Sequence, residues 1–261
     1  MPDIAVYVAL LDMQTKKTPT ISIITVVFNG VQTLRATIES IMPQLNEDVE
    51  YIVIDGGSTD GTKDIIKAYA SHLAYSVSES DSGIYDAWNK GLARASGQYI
   101  GFVGADDVLI HDALATYLDH IRQQPKIEYW SSKVIFGHMA GRVIGQPLRW
   151  DTFRRYMTVA HVGSLHRRDL YDRFGTYDTS YRIVGDYEFL LRAGCSLRAG
   201  FIDQVTAVMG DGGVSNIFAL RALAETARAK VERNATSLAA AKFDFFIARL
   251  KQVARSLLKK I

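Results

Sequence analysis

The chain has 261 residues, 48% hydrophobic and 22% charged, with a net charge of only +2, the composition of an ordinary globular protein able to bury a sizeable core. That balance gives no bulk attraction for nucleic acid, the single cysteine (Cys195) rules out an internal disulfide and makes a reducing compartment the default, and no run approaches the ~20 apolar residues of a membrane span. The charge is unevenly placed. From Ile217 onward ten Lys or Arg stand against three acids, +7 for the tail and −5 for the rest.

Taken in chain order, the first segment with a signal is "IAVYVALL". It lacks the basic lead and small-residue cleavage site of a signal peptide, and residues 1–18 read as an extension. "ISIITVVF" (21–28) is a continuous β-branched run, the pattern of a strand buried on both faces. "VQTLRATIESIM" spaces Val31, Leu34, Ile38 and Ile41 as a helix and stops before Pro43. "VEYIVID" (49–55) is a second strand, and "DGTKDIIKAYASHL" a helix with Asp60 as candidate cap. "LAYSVSE" (73–79), "GIYDAWNKGLARA" and "QYIGFVG" (98–104) continue the alternation as strand, helix, strand. Repeated βα units predict a mostly parallel, Rossmann-like sheet with helices on both faces. In the second half "KIEYWSSKVIFG" and "AGRVIGQPLRW" predict a hairpin turning at Gly137 to Gly141, and "GDYEFLLRAG" (185–194) a short helix stopped by Gly194. Trp88 and Trp130 read as core.

Ligands of such sheets sit beyond the carboxyl ends of the strands. Acids gather at that edge: Asp55 after the second strand, Glu79 and Asp81 after the third, Asp106 and Asp107 after the fourth. Two adjacent acids suit a hard divalent cation shared with substrate phosphates; Asp107 also suits a cap for the helix expected in "VLIHDALATYLDHI". "DGGSTDGT" (55–62) is not a P-loop, and no Gly-x-Gly-x-x-Gly follows the first strand, where "VVFNGVQTL" stands instead.

"ISIITVVFNG", "VIDGGSTDGT", "SESDSGIYDAWNKGLARASGQYIGFVGADD" and "GDYEFLLR", in this order over residues 20–215, resemble a family 2 glycosyltransferase of the GT-A fold. "DSGIYDAWNKG" is similar to bacterial enzymes that build exopolysaccharide, O-antigen or colanic-acid units. The resemblance implies that Val26, Val27, Phe28 and Asn29 lie against the nucleobase and that Asp55 accepts a hydrogen bond from it. It implies that Asp81 to Asp86, with Asp81, Gly83 and Asp86, runs beside the nucleotide. Asp106 would approach the ribose and Asp107 would bind Mg²⁺ or Mn²⁺ at the diphosphate. "ADD" stands where the family has its three-residue acidic motif. Asp186 matches the catalytic base, a carboxylate able to take the acceptor hydroxyl's proton in one inverting displacement; a helix N-cap is its structural alternative. Many relatives carry Glu where this chain has Gly185. His161 matches a histidine with an acceptor or phosphate role, set against a purely structural one, and "GDGGVS" (210–215) resembles a glycine-rich turn.

The implied organisation is a catalytic domain over 19–215, with 19–107 its nucleotide half and 108–215 its acceptor half, followed by a basic amphipathic helical tail over 216–261. "FDFFIARLKQVARSLLKKI" places Phe246, Leu250, Val253 and Leu257 on one side, with Arg249, Lys251, Arg255, Lys259 and Lys260 largely elsewhere. Such a helix either packs on the domain or lies on an anionic membrane surface. The expected activity is metal-dependent transfer of a sugar from a nucleotide-diphospho-sugar, UDP by family default, to a saccharide or polyprenyl-diphosphate-linked acceptor. The expected setting is the cytoplasm or the inner face of a bacterial plasma membrane. A nucleotidyltransferase would want a basic glycine-rich grip at the first strand, which "VVFNGVQ" lacks; a non-catalytic nucleotide-sugar binder is the other alternative.

Overall fold

A computed structural model describes residues 17–137, 141–210, 212 and 218–258, with the side chains of the last helix described through Lys251. All seven residues of β1 (Ile21–Val27) are buried. Ile21, Ile23 and Val27 enter one apolar cluster and Ile24 and Val26 the other, so the strand is covered on both faces. Its polar members are satisfied. Ser22 donates to Glu50 at 2.5 Å and accepts the Gly97 amide at 2.8 Å, and Thr25 accepts the Tyr51 hydroxyl at 3.0 Å.

β2 (Val49–Asp55), β3 (Tyr75–Ser78) and β4 (Tyr99–Gly104) join β1 in the order β3-β2-β1-β4, every pair parallel. The crossovers carry α1 (Leu34–Ile41), α2 (Thr62–Ala68) and α3 (Ile84–Arg94). Leu34, Ile38 and Ile41 of α1 join Ile65 and Ile66 of α2 over one face. Each such side chain contributes ~1.5–3 kcal/mol on burial. Tyr85, Trp88 and Leu92 of α3 cover the other face.

The second half carries β5 (Val108–Leu109), α4 (Ala113–Gln123), β6 (Tyr129–Phe136), β7 (Arg142–Ile144), α5 (Trp150–Phe153) and β8 (Ser164–Arg167). It continues with α6 (Asp169–Phe174), α7 (Gly185–Ala193), β9 (Ala199–Met209), α8 (Ala219–Glu232) and α9 (Leu238–Leu258). The sheet runs on from β4 through antiparallel β8 and β6 to β9, which is parallel to β6. The parallel half expected from the βα alternation is thus joined to a mixed half. The expected hairpin is β6–β7, with only three residues on its second strand; residues 138–140 of its turn lie outside the described residues.

Two capping expectations are corrected. Residues 108–109 do not open a helix after the acidic pair. They pair with Val208 and Ala207 of β9 as β5, and α4 begins at Ala113 after Asp112. Asp107 therefore caps no helix. Asp186 lies within the first turn of α7, whose N-cap is Val184, so it is not that helix's cap either. At α2 the N-cap position is Gly61, while Asp60 still accepts the Thr62 amide at 3.0 Å.

The tail is bonded to the body. Glu225 of α8 is buried and accepts the amides of Arg182, Ile183 and Val184 at 3.0, 2.8 and 3.3 Å, just ahead of α7. Arg233 reaches the buried Glu188 of α7 at 2.5 Å. Asp244 of α9 accepts from Lys230 of α8 at 3.0 Å and from Arg155 at 2.6 Å. The inward face of α9 is marked by buried Ala241 and Asp244, so Phe246 and Leu250 point outward, 57% and 51% exposed beside Phe243 at 61%. Val253, Arg255, Leu257, Lys259 and Lys260 lie outside the described side chains. Among the described residues no helix is long and apolar enough to cross a membrane.

Candidate active site

A cleft of about 660 Å³ opens over the carboxyl ends of β1 and β4. Val26, Val27, Phe28, Asn29, Asp81, Gly83, Trp88, Asp106, Asp107, His161 and Gly210 are among the residues that line it. Phe28 is 67% exposed at the mouth, an unusual position for a large apolar ring and a ready platform for a planar group. Asn29 adopts a left-handed φ of 52° and is pinned there, its amide donating to Ser58 at 2.7 Å and its side-chain oxygen accepting the Thr59 amide at 3.0 Å.

The acidic pair is held by two distant pieces of chain. Asp107 accepts the Gly104 amide on one oxygen and the Gly210 amide on the other, each at 2.9 Å. Thr37 of α1 donates to its carbonyl at 2.7 Å. The β5–β9 pairing brings residue 210 beside residue 107, and the approach is close: a Cβ on Gly210 would lie 2.5 Å from an Asp106 carboxylate oxygen. Of the glycine-rich segment 210–215, residues 211 and 213–215 lie outside the described residues. Asp81 accepts the Gly83 amide at 2.8 Å ahead of α3.

Asp186 is half-buried at the start of α7. Its carboxylate lies 3.4 Å from the Tyr85 hydroxyl of α3. His161 stacks on Trp88 at 4.4 Å, and neither of its buried ring nitrogens has a hydrogen-bond partner among the described residues. Burial pushes the imidazole below its ordinary range, with the charge of Asp186 opposing, so at neutral pH it is uncharged. Tyr85 moves the opposite way: burial, then the Asp186 charge, raises it well above the usual phenol range, and it remains a donor.

Three expected site residues stand apart from the cleft lining. Asp55 is fully buried beneath it, with Ser58 bonding both oxygens and the Ser78 hydroxyl one of them. Asp86 turns back to accept the Ser82 amide at 2.9 Å. Asp186 approaches from α7. Tyr85 falls inside the Asp81 to Asp86 segment of the most specific block without being singled out there, and neither was Arg182, whose guanidinium packs against Gly83. Trp88, read as core, is both core and cleft wall.

A four-stranded parallel half-sheet continued by a mixed half, with helices on both faces and a cleft over the carboxyl ends of its strands, is the architecture of the GT-A fold. Solved structures share it. TarS residues 1–349 from S. aureus, in complex with UDP-GlcNAc, aligns with a TM-score of 0.69 at 16% identity over 87% of this chain and 70% of that one. The mannosyltransferase PcManGT from Pyrobaculum calidifontis, in complex with GDP-Man and Mn²⁺, aligns at 0.66 and 17% identity over 97% and 82%. The model of glycosyl transferase family 2 matches residues 22–167, and the PGL/p-HBAD biosynthesis glycosyltransferase of Mycobacterium tuberculosis is 32% identical over 211 residues, 76% of this chain and 80% of that one. The chain belongs to glycosyl transferase family 2, and is a transferase.

Proposed function

We propose that this transferase moves a sugar from a nucleotide-diphospho-sugar to a saccharide acceptor with inversion, using Asp186 as base. One observation carries the reading: Val26 to Asn29, Asp81, Gly83, Asp106 and Asp107, drawn from three strand ends, line a single cleft, together with His161, which feels the charge of Asp186. The base would stack on Phe28 and lie against residues 26–29, above the loop that Asp55 holds through its serine bonds. Asp81, Gly83 and Asp86 would border the nucleotide, and Asp106 the ribose. Direct contact of Asp55 with the base requires one serine bond to yield. The UDP reading has support in the TarS complex with UDP-GlcNAc, although PcManGT holds GDP-Man.

The residues fit a divalent cation. Asp81, Asp106 and Asp107 line the cleft with no Lys or Arg among the described lining residues, so apart from Arg182 beside Gly83 a diphosphate would meet carboxylates. Two adjacent carboxylates without a third clustered Asp, Glu, His or Cys among the described residues suit Mg²⁺ or Mn²⁺ that completes its shell with water and phosphate oxygens. Asp107 would hold it, fixed by the amides of Gly104 and Gly210. Such a cation offsets charge on the departing diphosphate. Asp186 takes the proton of the acceptor hydroxyl as that oxygen bonds to the anomeric carbon and the sugar–phosphate bond breaks from the opposite side. Neutral His161, with neither ring nitrogen paired among the described residues, would bond an acceptor hydroxyl or phosphate oxygen.

The motif block's similarity to exopolysaccharide and O-antigen enzymes, with the PGL/p-HBAD biosynthesis role of the mycobacterial relative, supports surface-glycan assembly on a lipid-linked acceptor. Exposed Phe243, Phe246 and Leu250, with Lys242, Arg249 and Lys251 on the same helix, fit a peripheral seat on anionic lipid at the cytoplasmic face. A thermal-shift screen of UDP-, GDP- and dTDP-sugars with Mn²⁺ tests the donor reading. A donor at 100 times its Kd adds about 2.7 kcal/mol, and no shift with any of them contradicts it.

A further inference from the structure

Tyr85 is the second residue of α3 and only 3% exposed. Its ring is wedged against the edge of Trp88 at 5.1 Å and beside Tyr177 at 5.6 Å, which leaves it one orientation. That orientation carries the hydroxyl to the N-terminus of α7, 101 residues along the chain. The Asp186 carboxylate lies 3.4 Å from the phenol oxygen. A hydroxyl has one proton to give. Among the described residues the acceptor it reaches is the Asp186 carboxylate.

The fit depends on residue 185. A Cβ there would lie 2.8 to 3.0 Å from three ring atoms of Tyr85, contacts that real side chains do not make. Glycine is what allows the ring to pass beneath the helix start. The 3.4 Å separation is long against the ~2.7 Å usual for O–H···O bonds, and catalytic hydrogen bonds commonly tighten only once substrate is bound.

We propose that Tyr85 is the positioning residue for Asp186: its hydroxyl holds the carboxylate in one rotamer toward the acceptor, and Gly185 admits the ring that does so. This rests on Asp186 being the base. Held by one donor, the carboxylate keeps its other oxygen for the acceptor proton, where a freely rotating one would spend much of its time turned away.

Tyr85→Phe keeps the ring and its packing on Gly185 and removes only the hydroxyl. The expected result is a kcat about tenfold lower, with donor KM, donor binding by calorimetry and Tm close to wild type. In an Asp186→Glu background, where the longer side chain no longer meets the phenol, the same change should cost less than about twofold. A purely structural tyrosine would cost the same factor in both backgrounds. Equal losses, or wild-type kcat for Tyr85→Phe, overturn the proposal. If instead Asp186→Asn transfers at the wild-type rate, the base reading itself fails, a separate outcome.

Discussion

Glu225 connects the tail to the chemistry and offers a sharp perturbation. Its carboxylate receives the amides of Arg182, Ile183 and Val184 at 3.0, 2.8 and 3.3 Å, and these residues lead directly into the helix that carries Asp186. Glu225→Gln keeps the shape but leaves one neutral oxygen and turns an NH₂ toward amides that also donate. Hydrogen bonds to a charged group are worth about 1.5–3 kcal/mol and neutral ones about 0.5–1.5, so losing the charge and one acceptor should cost about 2–3 kcal/mol. The exposed Arg221 partner adds little. For a chain of this size that lowers Tm by about 4–12 °C. A displacement of about 1 Å at a catalytic group can cost on the order of 10²-fold, so kcat well below the new Tm should fall at least about tenfold while donor binding persists. Differential scanning fluorimetry and a transfer assay on the full chain read both quantities. Unchanged Tm together with unchanged kcat would refute the claim that α8 organises the base.

Asp107→Ala should weaken donor and metal binding together, read by calorimetry with and without Mn²⁺; loss of neither removes the metal assignment. Glu128, buried between β6 and three arginines, predicts an acid transition. Burial would push its carboxyl up, but the amide and guanidinium of Arg198 and the guanidinium of Arg173 overcome that and hold it at about 2 against an ordinary 4.5. Its stabilisation is therefore complete above about pH 4.5 and lost as pH falls toward 2, at most about 3 kcal/mol. Urea midpoints between pH 7 and 3 should drop less in Glu128→Gln than in wild type, and parallel curves would exclude it. For the membrane seat, a Phe243→Ser, Phe246→Ser, Leu250→Ser triple variant should lose flotation with phosphatidylserine vesicles while Tm holds. Equal flotation of both proteins sinks that reading. Deleting 217–261 would be a poor test, because it also removes Glu225 and Arg233.

Much of the nucleotide half was legible because its determinants are local. β1 and β2 announce themselves as unbroken β-branched runs, and α1 by the spacing of Leu34, Ile38 and Ile41. Asp106 and Asp107 stood out because carboxylates at consecutive strand ends repeat a pattern along the chain. Asp107 was misread as a possible cap because the pairing that makes 108–109 a strand comes from Val208 and Ala207, a hundred residues away. The link of Tyr85 and of Glu225 to α7 gave no signal for the same reason. Each acts on α7 through a bond between segments far apart in sequence, and neither residue type is distinctive in its own helix. The sequence pattern places Phe246 and Leu250 on one side of α9, but a pattern does not say which face finds a partner. Ala241 and Asp244 turn inward, and the large apolar side chains stay outside.

The measurement that tests the account most directly is sugar transfer by Asp186→Asn set beside its donor binding. Asparagine preserves the shape of the side chain and cannot take a proton from the acceptor hydroxyl. The account predicts a donor Kd within about twofold of wild type and transfer reduced by about 10²–10⁴, the usual contribution of a general base. Transfer at the wild-type rate with donor bound would contradict it.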